Sequence, residues 1–238
     1  MTEGPAVVPV ASAETTTTLM AECPSFRLMP QTQQLRSLMT ILRNKTTPTE
    51  DFVFFADRII RLLVEAALEE MPHEPLQVHT PTGVIHEGMT WTLPYREHIC
   101  GVSIVRAGES MEAGVRQVLK GVKIGKILIQ RDEATAQAKL FYSKLPPNIA
   151  TQAILLLDPM LATGGSAIQA VKVLADSGVD LAKVVFINLV CCPEGVRAMH
   201  AAYPQVRIVS SALDSHLDER KYIVPGLGDF GDRYFGTI

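Results

Sequence analysis

Nine consecutive residues carry the densest chemistry in the chain: Asp158-Pro159-Met160-Leu161-Ala162-Thr163-Gly164-Gly165-Ser166. Gly164 and Gly165 let backbone N–H groups approach an anion with no Cβ in the way, and the hydroxyls of Thr163 and Ser166 add donors. The apolar run Ile154–Leu157 precedes this loop, and a helical period continues beyond it to about Ala175. A helix that starts here points its positive end at the same anion. Asp158, at the carboxyl end of the strand, is an acceptor for sugar hydroxyls or a hydrated Mg²⁺. The chemistry suits a phosphate monoester. The plainer alternative is an ordinary strand-to-helix turn with an Asp and an N-capping Ser, because short glycine motifs also arise by chance. The lysine of a G-K-[ST] phosphate loop is missing, and the spacing is not G-x-G-x-x-G. A Walker-type site is therefore excluded and a dinucleotide fold disfavoured.

The elements around this loop must place it at a sheet edge. Leu35–Leu42 reads as a short helix. Thr47-Pro48-Thr49-Glu50 reads as a helix start, with Thr47 as N-cap, Pro48 at the first helical position and Glu50 closing a capping box. Phe52, Phe55, Ile59, Leu63 and Ala66 then form one apolar stripe to roughly Leu68. Beyond it, apolar runs alternate with helical periods: Gly101–Val105 before Met111–Leu119, Lys126–Ile129, Ile154–Leu157, Val184–Val190 before Pro193–Ala202, and Val206–Ser210. Continuous apolar strands separated by helices imply an α/β fold with a parallel sheet covered on both faces. Ligands in such sheets sit beyond the carboxyl ends of the strands.

Composition bounds the rest. The chain has 238 residues, 47% hydrophobic and 20% charged, which excludes disordered, collagen-like and coiled-coil proteins. A net charge of −3 provides no global field for nucleic acid or anionic lipid, and no apolar run approaches a membrane span. Cys23, Cys100, Cys191 and Cys192 lack C-x-x-C spacing and suit a reducing, cytoplasmic setting. The six histidines have no metal-ligand spacing, and no G-x-S-x-G elbow is present. Glu109 and Glu112 read as a solvated helix face. Residues 1–22 read as a mobile tail and 23–238 as a single domain.

Asp158–Ser166 resembles the 5-phosphoribosyl pyrophosphate (PRPP) loop of type I phosphoribosyltransferases. Its Asp-Pro form, where most of that superfamily has two acidic residues, is similar to that of uracil phosphoribosyltransferases. Ser103–Gly108 resembles that family's pyrophosphate loop. Tyr222-Ile223-Val224-Pro225-Gly226-Leu227-Gly228-Asp229-Phe230-Gly231-Asp232 resembles its C-terminal uracil-binding segment. The Arg106–Met111 form and Phe230 look like eukaryotic members. The resemblance runs from about Gln34 to the C-terminus.

It implies a type I phosphoribosyltransferase fold with a flexible β-hairpin, Asp132–Tyr142, over the site and a helical N-terminal extension. Ala138 stands where relatives have proline. The implied reaction is transfer of phosphoribose from PRPP to uracil, giving UMP and pyrophosphate in pyrimidine salvage. PRPP contacts fall on Arg106, Arg131, Asp158 through Ser166, and Asp229, with Asp158 and Arg131 as catalytic residues. Either arginine offers a planar fork for pyrophosphate oxygens, or else makes a surface ion pair, Arg131 with Asp132 or Glu133. Ile223, Gly228, Asp229 and Phe230 fall on uracil contacts. There Pro225, Gly226 and Gly228 set a backbone path that can present N–H and C=O groups to a base edge, and the alternative is a glycine-rich turn capped by Asp229. The resemblance also implies Mg²⁺ bound mainly through PRPP, with no protein metal ligands assigned, and a homodimer or homotetramer. Activation by GTP would use Arg58, although Thr49 stands where a lysine partner is expected. Rival readings keep the fold for another base, for a regulatory nucleotide- or RNA-binding protein, or for a silent subunit.

Overall fold

The computed structural model describes residues 7–92, 98–131 and 138–237, with the side chains of residues 131 and 138 excepted. In chain order the elements are α1 (Ala13–Glu22), β1 (Phe26–Leu28), α2 (Gln33–Arg43), α3 (Thr49–Leu68), β2 (His73–His79) and β3 (Ile85–Trp91). Next come β4 (Ile99–Val105), α4 (Glu112–Val118), β5 (Lys123–Arg131), β6 (Ala138–Lys144), β7 (Ala153–Leu157) and β8 (Met160–Leu161). The chain ends with α5 (Gly165–Asp176), β9 (Val184–Cys191), α6 (Pro193–Ala202), β10 (Arg207–Leu213), β11 (His216–Leu217), β12 (Ile223–Val224) and α7 (Phe230–Phe235).

The central sheet has the order β1-β10-β9-β7-β4-β5-β6, with β8 added against β9. Every pairing in it is parallel except β5 with β6. β7 shows why the apolar runs are continuous. Leu155 and Leu157 face a core shared with α2, α3 and α4, whereas Ile154 and Leu156 face a second core shared with α1, α5 and α6. A strand buried on both faces has no polar side to alternate with. The expected α/β architecture is present, and no helix among the described residues is long and apolar enough to cross a membrane.

Local expectations differ from the structure in three places. The α3 N-cap is Pro48, in extended conformation, while the Thr47 hydroxyl donates to the Ile41 carbonyl at 2.6 Å instead of capping. The buried face of α3 also shifts: Ala56, Ile60, Val64 and Ala67 are buried, and Phe55 and Ala66 only partly so. Most consequentially, residues 13–22 of the expected mobile tail form α1. The Ser12 hydroxyl caps it by accepting from Thr15 N–H at 3.0 Å, and Leu19 is 0% exposed. The threonine run hid this helix because its apolar periodicity is weak.

A hairpin, β2–β3, pairs His73 with Trp91 through to His79 with Ile85. Its side chains are largely exposed, Leu76, Val78, Ile85 and Met89 among them. Of the expected site hairpin, Asp132–Tyr142, residues 138–142 lie in β6, which pairs antiparallel with β5, and residues 132–137 lie outside the described residues.

If α1 is packed as described, Leu19→Ala should cost about 2–4 kcal/mol in a chemical-denaturation series, as for other fully buried leucines. A loss below roughly 0.5 kcal/mol, the level of surface substitutions, would return the segment to a loose tail.

Candidate active site

The 158–166 loop leaves the carboxyl edge of β7 and is anchored by its middle. Pro159 is buried, and its carbonyl accepts from Leu189 and Val190 N–H at 3.0 and 3.1 Å. The short strand β8 pairs Met160 with Val190 and Leu161 with Cys191. Leu161 is 1% exposed. Pro159 and Leu161 thus turn their side chains into the protein as anchors, unlike their neighbours in the expected set of PRPP contacts.

Gly164 sits at φ +82° as the N-cap of α5 and supplies no side-chain acceptor. Thr163 Oγ1 is a long 3.5 Å from Gly165 N. Ser166 lies inside the first turn, not at the cap, so the plain capped-turn alternative does not describe this loop. The leading N–H groups of α5 remain available to an anion. They border a recess of about 70 Å³ bounded by Asp158 and by residues 160–167.

Beside the recess lies a cleft of about 430 Å³. One wall is the loop, through Asp158, Met160, Ala162 and Ser166. The opposite wall is the C-terminal segment, through Ile223, Gly228, Asp229 and Phe230. Segments about 60 residues apart in sequence therefore converge on one space. Gly226 and Gly228 have φ of +61° and +84°, and a Cβ on Gly226 would stand 2.1 Å from the Ile223 carbonyl oxygen. The Asp229 carboxylate accepts from Asp232 N–H at 2.9 Å, so it caps α7 while lining the cleft. Phe230 is 1% exposed and packs edge-on to Phe52, offering the cleft only a margin.

Arg106 follows β4 at the margin of this cleft, where its neighbour Ala107 is part of the wall. Its guanidinium donates to Asp232 Oδ1 at 2.6 Å and to Thr237 Oγ1 at 2.9 Å. The Arg106 bond to Asp232, with a second donated by the Thr237 hydroxyl at 2.7 Å, holds the Asp232 carboxyl below its usual range. The Arg106 loop itself is pressed onto β7, since a Cβ on Gly108 would lie 2.2 Å from the Leu157 carbonyl oxygen. Glu109 and Glu112 are not a solvated face. Both pair with Lys126, and Glu112 accepts a 2.6 Å bond from the buried Ser103 hydroxyl. Arg131 closes β5, and its side chain lies outside the described residues.

Desolvation pushes the Asp158 carboxyl up to about 7, against a weaker opposing bond from Met160 N–H. Its residual exposure opens on the cleft and recess. Burial likewise pushes the Cys100 and Cys192 thiols up to about 11 and 12, which leaves them poor nucleophiles. Among the described residues no three His, Cys, Asp or Glu side chains cluster as a metal site. Arg220, Lys221 and Tyr222 also line the cleft, and the sequence reading missed the first two. Two adjacent cations directly before the C-terminal motif were the available signal.

A parallel sheet with a glycine-rich anion loop at its carboxyl edge, and a second recognition segment across one cleft, defines a phosphoribosyltransferase of the type I fold. The description uracil phosphoribosyltransferase matches residues 29–237, and the chain belongs to that family. It is 56% identical over 210 residues to a uracil phosphoribosyltransferase of Dictyostelium discoideum, covering 88% of this chain and 95% of that one. The Saccharomyces cerevisiae enzyme of the same name is 58% identical over 208 residues, covering 87% and 94%. The solved structure of the AQ2163 protein from Aquifex aeolicus superposes with a TM-score of 0.76 at 28% identity, covering 88% of this chain and 97% of that chain.

The raised Asp158 carboxyl has a measurable cost. Its ionised form is disfavoured in the folded state, so this contribution to stability is complete only below the ordinary value of 3.8 and is lost as pH rises through about 7. Asp158→Asn, which stays neutral, should therefore melt higher than the parent at pH 8, by about 5 °C or more, and approach it as the pH falls below 3.8. Equal melting shifts at both pH values would contradict the buried-carboxylate assignment.

Proposed function

We propose that the protein transfers the 5-phosphoribosyl group of PRPP to N1 of uracil, releasing pyrophosphate and forming UMP in pyrimidine salvage. The observation that carries this reading is the single cleft walled by the Asp158–Ser166 loop and the Ile223–Phe230 segment. The recess at the start of α5 is sized and polarised for the 5′-phosphate. Above pH 7 the Asp158 carboxylate accepts from the ribose hydroxyls that stand next to that phosphate. Arg106 serves the pyrophosphate, exchanging Asp232 and Thr237 for its oxygens. Arg131 belongs to the same reading by resemblance, as does closure of the hairpin between β5 and β6, which keeps water from the ribosyl carbon. Gly228 and its neighbours meet the base edge, and backbone groups there reject a ring that reverses a donor and an acceptor.

Among the described residues the carboxylates on the cleft are Asp158 and Asp229, and Mg²⁺ would be held there mainly by substrate oxygens. When bound, Mg²⁺ neutralises the departing pyrophosphate. Catalysis then rests on positioning and charge stabilisation, without a covalent intermediate. The partners are uracil, PRPP and a second or further copies of the chain, in the cytoplasm. Activation by GTP would use Arg58, whose guanidinium stands 5.9 and 5.7 Å from the Phe54 and Phe55 rings.

The decisive assay incubates the protein with PRPP, Mg²⁺ and labelled uracil, with and without GTP, and measures UMP. UMP is expected, and Asp158→Asn should lower turnover by about 10²-fold or more while remaining folded. Bound PRPP with no UMP in either condition would overturn the reading, and turnover of purines in preference to uracil would move it to another base.

A further inference from the structure

Three residues that do not touch the cleft fix the shape of its base-binding wall. Arg43 ends α2, Asp214 follows β10, and Gly226 lies between Ile223 and Gly228 of the C-terminal segment. The Arg43 guanidinium meets the Asp214 carboxylate with both prongs, Nη1 to Oδ2 at 2.8 Å and Nη2 to Oδ1 at 2.6 Å. Arg43 Nη1 also donates to the Gly226 carbonyl at 2.7 Å, and Gly226 N–H donates to Asp214 Oδ2 at 2.8 Å. Both backbone groups of Gly226 are therefore held by the two halves of one ion pair. Asp214 is 0% exposed, and its own N–H donates to the Cys191 carbonyl at the end of β9.

Gly226 has no side chain by which packing could hold it. With a φ of +61° and the Ile223 carbonyl where a Cβ would stand, the position admits no side chain. A second arginine repeats the arrangement one residue on. Arg233 donates to the Leu227 carbonyl at 2.6 Å, to the Leu42 carbonyl, and to the Asn44 carbonyl at 2.7 Å. The backbone at 226 and 227 is thus tied to the carboxyl end of α2 from two sides. None of Arg43, Asp214 and Gly226 lines the cleft.

We propose that the Arg43–Asp214 pair is a positioning element for uracil recognition, which fixes Gly226 and so the backbone edge that the base meets at Ile223 and Gly228. A buried ion pair is weak as a source of stability, because apolar replacements of similar volume are often neutral or better. This one directs its spare hydrogen bonds at a single glycine next to the base. A backbone edge that reads a base must be held within a fraction of an ångström, since small misplacements cost orders of magnitude in rate. The inference rests on the assignment of Ile223–Phe230 to the base.

Three variants test it, each assayed for steady-state kinetics and melting temperature. Arg43→Lys keeps the charge but loses the two-pronged geometry. It should raise the KM for uracil about tenfold and narrow the preference for uracil over cytosine, with the KM for PRPP changed less than about twofold. Arg43→Met combined with Asp214→Leu removes both charges of the pair together, so it should melt within a few degrees of the parent and still show the raised uracil KM. Gly228→Val, in the wall itself, is the control for the assignment of the base segment. If Gly228→Val leaves the uracil KM unchanged, the base-segment assignment fails. If it raises that KM and the Arg43 variants do not, the positioning role fails. Parallel rises in both KM values that track lost stability, or failure of both Arg43 variants to fold, would make the pair a structural tie and overturn the proposal.

Discussion

Because β4 and β7 run parallel and adjacent, from Ile99 opposite Ala153 to Ser103 opposite Leu157, the loops that follow them leave the sheet at the same edge. Their contact is close enough to exclude a methyl group, since only glycine at 108 clears the Leu157 carbonyl oxygen. Other features of the cleft depend on this adjacency. The anion loop takes its direction from β7 and its anchor from β9, through β8 and the Pro159 carbonyl. The arginine loop takes its direction from β4 and is braced from β5 by Lys126. A shift of either strand by one residue would exchange its two buried faces, so both cores resist the shift that would part the loops.

The electrostatics follow from the same geometry. Setting Asp158 at the end of a fully buried strand removes water from it and raises its carboxyl toward neutrality. Catalytic groups are often held in such costly surroundings. Arg106 illustrates the opposite arrangement: its charge is offset by Asp232, so a positive group can wait at the edge of the cleft without an unbalanced field. A site built from loop amides, a helix end and an arginine offset by Asp232 adds little to the net charge, so a chain at −3 is compatible with the polyanion site proposed for it.

Much of this was legible in the sequence. Strands buried on both faces announce themselves as unbroken apolar runs, and the loop between Leu157 and Ser166 stands out because its hydroxyls and glycines fall between such a run and a helix. The failures have equally physical causes. Residues 13–22 hold one deeply buried leucine among threonines, and one contact makes no period. β2 and β3 pair only with each other and bury little, so no core-facing pattern marks them. Thr47 looked like a cap, but its hydroxyl is taken by the Ile41 carbonyl, a contact set by the path of α2. The arrangement of Arg43, Asp214 and Gly226 was invisible for a related reason: 171 residues separate the two charges, and only the fold makes them neighbours.

The end of α2 is hydrogen-bonded directly to the C-terminal wall of the cleft. A wall that presents backbone groups has no side chains to brace it, and the glycines that open its path take away local stiffness. Rigidity must then be imported through hydrogen bonds to the backbone itself. β11 and β12 supply only a short ladder, His216 with Val224 and Leu217 with Ile223. The carboxyl end of α2 supplies the rest, since Arg43 and the carbonyls of Leu42 and Asn44 are where residues 226, 227 and 233 are tied. α2 is in turn fixed by Leu35, Leu38 and Leu42 in the core it shares with α3. The cleft wall at Ile223–Phe230 is therefore only as rigid as the packing of a helix nearly two hundred residues before it in the chain.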